Sequence, residues 1–331
     1  MHRYLTHAGK LAVSIGLVMA STGSLADAGV FTFESENDSY NSSDDDHYTS
    51  GTNFTWSFVP EPDHWAQRLG NVLPNTLLSR VDGVSYRLEH RIYTPTDLRE
   101  QDLIEDDRPY AGVTMLGLSL HETQEYGGWR QTTDVGLDVG LVGPGSGAKS
   151  IQREVHRVLH SRMPRGWDNQ LDNEPLVNLG LRRQWWLGHR LGSLELEHGP
   201  HASAALGNLY TYAGGGYAFR VGQSLSRSSG IPVTSPGHTG RDYYEAEGPF
   251  SWFVFASLEG RYMAHNLLLD GNTWTDSHSV DRREGVGDAS LGLAMTWDRW
   301  KLSLTSVWRT KEFEGQASHD KFGSLRVSRA F

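Results

Sequence analysis

The chain has no cysteine among its 331 residues. Disulfide staples, thiolate nucleophiles and cysteine-held metals are therefore excluded. Long apolar runs are also missing: after Ala20, no stretch approaches the roughly 20 apolar residues that a membrane helix needs. Basic residues are in deficit, with 30 Lys and Arg against 40 Asp and Glu and a net charge of -10. That balance argues against nucleic acid as a partner. There is no Gly-x-Ser-x-Gly elbow, which removes one common route to a serine nucleophile.

The first residues read as a targeting segment. His2, Arg3, His7 and Lys10 make a basic start, Leu11 to Ala20 is a short apolar run, and Ala26-Asp27-Ala28 offers a small-x-small cleavage site. A cleaved secretory signal over 1–28 is expected, leaving one domain over 29–331.

Beyond it the sequence alternates. Phe54, Trp56 and Phe58 interleave with Asn53, Thr55 and Ser57. Leu116, Leu118 and Leu120 interleave with Gly117, Ser119 and His121, and Val135, Leu137, Val139 and Leu141 with Asp134, Gly136, Asp138 and Gly140. Period-two patterning is the mark of strands with two unlike faces. The polar face is often Gly, Ser, Thr or Asp, which suits a crowded barrel lumen more than a solvated sandwich. Aromatics near strand ends, among them Tyr110, Trp185, Trp186, Trp297, Trp300 and Trp308, fit interfacial girdles. Phe331 closes an alternating last strand, as in bacterial outer-membrane barrels.

The expected fold is all-β: a transmembrane antiparallel β-barrel of about twelve strands in the bacterial outer membrane. The strands are expected near 29–37, 47–59, 82–93, 111–124, 130–142, 174–187, 190–206, 209–222, 249–264, 286–298, 300–313 and 321–331. An even count puts both ends on the periplasmic side. Two periplasmic connections, 60–81 and 223–248, are long for such turns. The first is expected to hold a short plug helix and the second an irregular loop. A soluble β-sandwich is the alternative.

One helix interrupts the strands. From Lys149 to Arg162, Ile151, Val155, Val158 and Leu159 form an apolar stripe at helical spacing. Gln152, His156 and His160 lie four residues apart beside it. His156 suits a general base near neutral pH, with a solvated helix-flank histidine as the plain alternative. Strand direction brings this helix to the extracellular rim beside Glu36-Asn37-Asp38-Ser39, Tyr48-Thr49-Ser50-Gly51 and Asp107-Arg108-Pro109-Tyr110-Ala111-Gly112. Asp38 is a hard oxygen ligand suited to calcium. Asp44-Asp45-Asp46 reads as a solvated loop tip or a second calcium contact. Thr49 offers a hydroxyl, and alternation points it and Asn53 to the lumen. Asn37 and Asp38 have opposite parity, so both can face one site only if the strand breaks there. Arg108 could pair with phosphate or carboxylate, and Ala111-Gly112 lets another segment approach closely.

These pieces, with His47, Ile92-Tyr93-Thr94-Pro95, Val142-Gly143-Pro144 and Leu269-Asp270-Gly271-Asn272, resemble the outer-membrane lipid A 3′-O-deacylase family, the LpxR type. They occur in the family's order over nearly the whole mature chain. The resemblance implies a twelve-stranded barrel and calcium-dependent hydrolysis of an ester-linked acyl chain on lipid A, within lipopolysaccharide. It places the family's Asn-Asp pair on Asn37 and Asp38, its threonine on Thr49, and its Gln and His on Gln152 and His156. A family lysine after the third strand has no counterpart; Leu98-Arg99-Glu100 stands there, and Arg99 or Arg108 would have to supply the charge. His160 has no counterpart and reads as a surface residue. The expected enzyme is a monomer without a protein partner, with calcium as cofactor and His156 as base. The rival readings are a non-catalytic barrel, either channel or structural, and a phospholipid hydrolase.

Overall fold

The computed structural model describes residues 29–40, 47–232, 234, 244, 248 and 250–331. The expected signal segment, the Asp44-Asp45-Asp46 run and much of the 223–248 loop lie outside them.

The alternating segments form twelve strands: β1 Gly29–Asn37, β2 Tyr48–Phe58, β3 Gly83–Tyr93, β4 Ala111–Tyr126, β5 Trp129–Val142 and β6 Glu174–Leu191, then β7 Leu194–Gly207, β8 Tyr210–Gln223, β9 Ser251–Asn266, β10 Gly285–Trp297, β11 Trp300–Arg309 and β12 Asp320–Ala330. Each pairs antiparallel with the next, and β1 pairs with β12 to close the barrel, with Phe33 opposite Val327 on one side and Phe54 on the other. Closure leaves no edge, which is what a sheet in hydrocarbon requires.

Most strands begin and end within two residues of the sequence expectation; β6, β7 and β11 do not. The β6–β7 turn sits at Gly192, not at Gly188-His189. Gly192 takes the left-handed φ of 65° that the tight turn needs, and Leu191 pairs with Leu194 across it. β11 stops at Arg309 because the Thr310 hydroxyl accepts the Gly287 N–H at 2.8 Å, ending the regular ladder.

The short helix expected in 60–81 is present as α1, Trp65–Val72, but it plugs nothing. Its Ala66 packs with Leu78, Val81, Val84 and Leu120. Val84 and Leu120 share strand parity with the exposed Leu88 and Leu116, so α1 lies against the outside of the barrel. Trp65, Leu69 and Val72 remain exposed on it, as on a helix lying in a membrane interface.

The lumen is filled by the barrel's own side chains. Near the extracellular end Tyr48, Tyr93, Met115, Leu176, Met263 and Phe322 belong to one buried apolar cluster. Beside and below it lies a ladder of buried ion pairs. Arg326 meets Glu34 at 2.6 Å, Arg182 meets Glu259 at 3.1 Å, and Asp288 joins Arg261 at 2.8 Å to Arg309 at 2.9 Å. The sequence reading of a lumen lined by small polar residues missed these arginines, whose charges are satisfied only by partners on other strands.

Removing one carboxylate from such a ladder leaves guanidinium groups buried without their nearest partner. Asp288→Ala should therefore destabilise the barrel by about 3–5 kcal/mol. The urea midpoint of the folded barrel in detergent measures this. Asp97→Ala on an exposed loop should leave it essentially unmoved.

Candidate active site

β1 ends at Asn37, and Asp38–Tyr40 turn away as a single 3-10 turn. This is the break that the opposite parities of Asn37 and Asp38 demanded. The Asn37 side chain holds the break from both sides. Its Oδ1 accepts from Ser39 N–H at 2.9 Å and from the Ser39 hydroxyl, while its Nδ2 donates to the Thr49 carbonyl at 2.8 Å. Asp38 is buried, and its Oδ1 accepts from Ser39 N–H at 2.6 Å. Thr49 is also buried, with its Oγ1 2.9 Å from that of Thr94. The β2–β3 register shifts between Tyr48 and Ser50, and at this irregular end Thr49 borders the outer groove instead of pointing simply to the lumen.

The helix read from the sequence is α2, Ala148–Leu159, and its base docks on the strands through two small residues. A Cβ on Gly112 would lie 2.2 Å from the Ala148 Cβ, so only glycine permits the contact. One turn on, buried Gln152 accepts the Trp167 indole N–H at 2.7 Å through its Oε1. An indole nitrogen only donates, so this bond fixes the amide orientation. Gln152 Nε2 is thereby turned away; it is buried and has no hydrogen-bond partner.

His156 follows at the next turn, half-buried. Its Nδ1 bonds the Arg162 carbonyl. A carbonyl only accepts, so Nδ1 carries the proton and Nε2 presents its lone pair, the arrangement of a base. The helix stops at His160, which takes the left-handed φ of 57° and is exposed.

Between α2 and the outer faces of β1, β2 and β3 runs a groove with about 490 Å³ of free space. Asn37, Thr49, Gln152 and His156 border its polar end. Phe31, Phe33 and Phe54 on the strands, with Ile151, Val155 and Leu159 on the helix, form its apolar walls. The helix stripe thus faces a groove and is not buried: Ile151 is 44% exposed and Val155 46%.

A family model described as Outer membrane protein LpxR matches residues 8–331. The chain belongs to the LpxR outer-membrane protein family.

Among solved structures, it is similar to LpxR from Salmonella typhimurium at 20% identity and a TM-score of 0.76, over 91% of this chain and 100% of that one. That likeness shows the fold. The β domain of the Bordetella autotransporter BrkA matches at 10% identity and TM-score 0.46, over 92% of this chain and 99% of that one. Outer membrane phospholipase A from Escherichia coli matches at 14% identity and TM-score 0.31, over 92% and 96%. These last two are too distant to carry an argument. No curated protein matches by sequence.

The groove does not take in every residue singled out from the sequence. Arg99 lies on an exposed loop, its Nε 3.0 Å from Asp97. Arg108 is buried inside the barrel, 4.5 Å from the Tyr93 ring centre and 3.6 Å from Glu312. Neither lines the groove, and no other Lys or Arg is among its lining residues. His90 lines it and was missed, although a histidine in the parity of Tyr86 and Leu88 is a signal that alternation alone exposes.

Beside the site, His47 clamps the rim. Its Nδ1 lies 2.8 Å from Asp320 and its Nε2 3.2 Å from Asp107. Burial disfavours the charged ring, but bonds to the two carboxylates outweigh it and lift its pKa to about 9. Burial likewise disfavours the Asp107 carboxylate, and the bond from His47 outweighs it, lowering its pKa to about 2. The His47 contribution is complete below about pH 6.5 and is lost as pH rises through about 9. That of Asp107 is complete above about 3.8 and is lost as pH falls through about 2. His47→Gln should therefore lower the melting temperature at pH 6, and the gap from wild type should close by pH 10. An equal gap at both values would show that the clamp does not depend on charge.

Proposed function

We propose that the protein is a calcium-assisted lipid A deacylase that hydrolyses an ester-linked 3′-acyl chain, including an acyloxyacyl chain, in the outer leaflet. The observation that carries this reading is the joining of a poised histidine and an unpaired buried amide to an apolar groove that faces the membrane. An acyl chain suits the walls, and an ester carbonyl suits the polar end.

His156 Nε2 takes a proton from water while the water oxygen attacks the acyl carbonyl carbon. Negative charge develops on the carbonyl oxygen, and the Gln152 Nε2 group donates to it. The ester C–O bond then breaks, and His156 returns the proton to the departing sugar oxygen. Thr49 and Asn37 hold the strand ends that form the opposite lip.

The chemistry of the strand end fits a calcium ion. Asp38 supplies a carboxylate, Asn37 an amide oxygen, and Glu36 a buried Oε1 with no hydrogen-bond partner. These are hard oxygen donors. Among the described residues no group of three or more His, Asp and Glu side chains is arranged to hold a metal ion by itself, so carbonyl oxygens and water would complete the set around Asp38. Bound there, calcium would supply positive charge near the developing oxyanion. The filled lumen and its ion-pair ladder weigh against a channel.

The test is release of fatty acid from purified lipid A by the refolded barrel in detergent. Wild type with calcium should release it, and His156→Ala should be slower by about 10²-fold or more. A chelator should stop release and added calcium should restore it. Equal release by wild type and His156→Ala would defeat the general-base role, and release unmoved by chelation would defeat the role of calcium alone.

A further inference from the structure

At the end of the barrel opposite the groove, two imidazole rings meet on the outer wall. His189 stands near the end of β6 and His198 near the start of β7, on either side of the turn at Gly192. His189 pairs with Leu196 and His198 with Leu187, so the two histidines are diagonal neighbours across one hairpin. They share the parity of the exposed Leu179, Leu187 and Leu206, which turns them outward. The turn is at the periplasmic rim, one strand length from the connection that carries α2. The two Nε2 atoms are 3.1 Å apart, and the ring planes are 10° from parallel. Behind them, His198 Nδ1 is 2.6 Å from the Tyr217 hydroxyl on β8.

Two facing imidazole nitrogens can share one proton, which one donates and the other accepts. A divalent cation can take the place of that proton and be held by both lone pairs. Zinc–nitrogen bonds are about 2.0–2.1 Å long, so two ligand nitrogens set about 90–110° apart around the metal lie about 2.8–3.4 Å from each other. The observed separation falls inside that span. The Tyr217 hydroxyl can accept from His198 Nδ1–H, which leaves Nε2 for the metal; ligating imidazoles are commonly fixed through their other nitrogen in this way. His189 is exposed and His198 half-buried, so water can complete the shell. The donors also choose the ion. Imidazole suits copper(II), nickel(II) and zinc(II), whereas calcium takes oxygen.

We propose that His189 and His198 form a two-histidine site for a late first-row divalent cation at the periplasmic rim, with Tyr217 as its positioning residue. Copper(II) is the ion such a nitrogen pair holds most tightly. Bound there, it joins the end of β6 to the start of β7 across their turn. The site is independent of the proposed ester hydrolysis: it lies at the other end of the barrel, and its donors are nitrogen where those around Asp38 are oxygen.

Copper(II) is the probe. The refolded barrel, free of any affinity tag, is titrated with copper(II) in detergent with calcium in excess, and electron paramagnetic resonance reads the ligands. Wild type should show a bound copper coupled to two nitrogens. His189→Gln and His198→Gln should each abolish that two-nitrogen signal. Tyr217→Phe keeps both ligands and should weaken binding by about tenfold. Heat-modifiable migration on gels verifies that each variant is folded. No two-nitrogen copper in wild type, or an unchanged signal in either folded histidine variant, would overturn the site, and the pair would then be a hydrogen-bonded part of the aromatic girdle. Binding unmoved in Tyr217→Phe would overturn the positioning role alone.

Discussion

A backbone in hydrocarbon has no water to satisfy its N–H and C=O groups, so every one must be paired within the chain. The β1–β12 ladder meets that demand by closing the sheet. Its consequences reach each other part of the molecule. Closure sends alternate side chains inward, where they must fill a lumen, and sends the rest outward to lipid. It also leaves unpaired backbone only at the strand ends, where irregular structure is possible. The candidate site is built at those ends.

Two kinds of constraint assemble the site. Backbone geometry places Asn37 and Thr49 at neighbouring strand ends and ties them by one amide-to-carbonyl bond. Helix docking places Gln152 and His156 opposite them, through the Gly112–Ala148 contact and the Trp167 indole. Each polar group then has its free side set by a partner that can only donate or only accept. The indole fixes the orientation of the Gln152 amide, and the Arg162 carbonyl leaves His156 Nε2 bare. Such orientation costs no reorganisation when a ligand arrives.

Most of the barrel was legible in the sequence because alternation is a local signal. Strand positions, the break after Asn37 and the helix carrying Gln152 and His156 all follow from spacing and parity. What was not legible depends on partners distant in sequence. The arginines of the lumen reveal their place only against carboxylates on other strands, as Asp288 does between Arg261 and Arg309. The outward seat of α1 depends on Val84 and Leu120, which read as ordinary lipid-facing residues. Gly188 and Gly192 are equal candidates for a turn until the pairing of Leu191 with Leu194 decides between them. The apolar stripe of α2 looks like any buried face, and only the wall beside it shows that the stripe borders an open groove.

The groove's placement on the outer wall has a kinetic consequence. A cleft reached through the lumen would sample solutes at their bulk concentration. A cleft bordered by Phe31, Phe33 and Phe54 on the strands and Ile151 and Val155 on the helix meets only what diffuses laterally in the leaflet around it. Its occupancy then follows the mole fraction of ligand among neighbouring lipids. Diluting the membrane with inert lipid would slow encounters, while enlarging the aqueous volume around it would leave them unchanged.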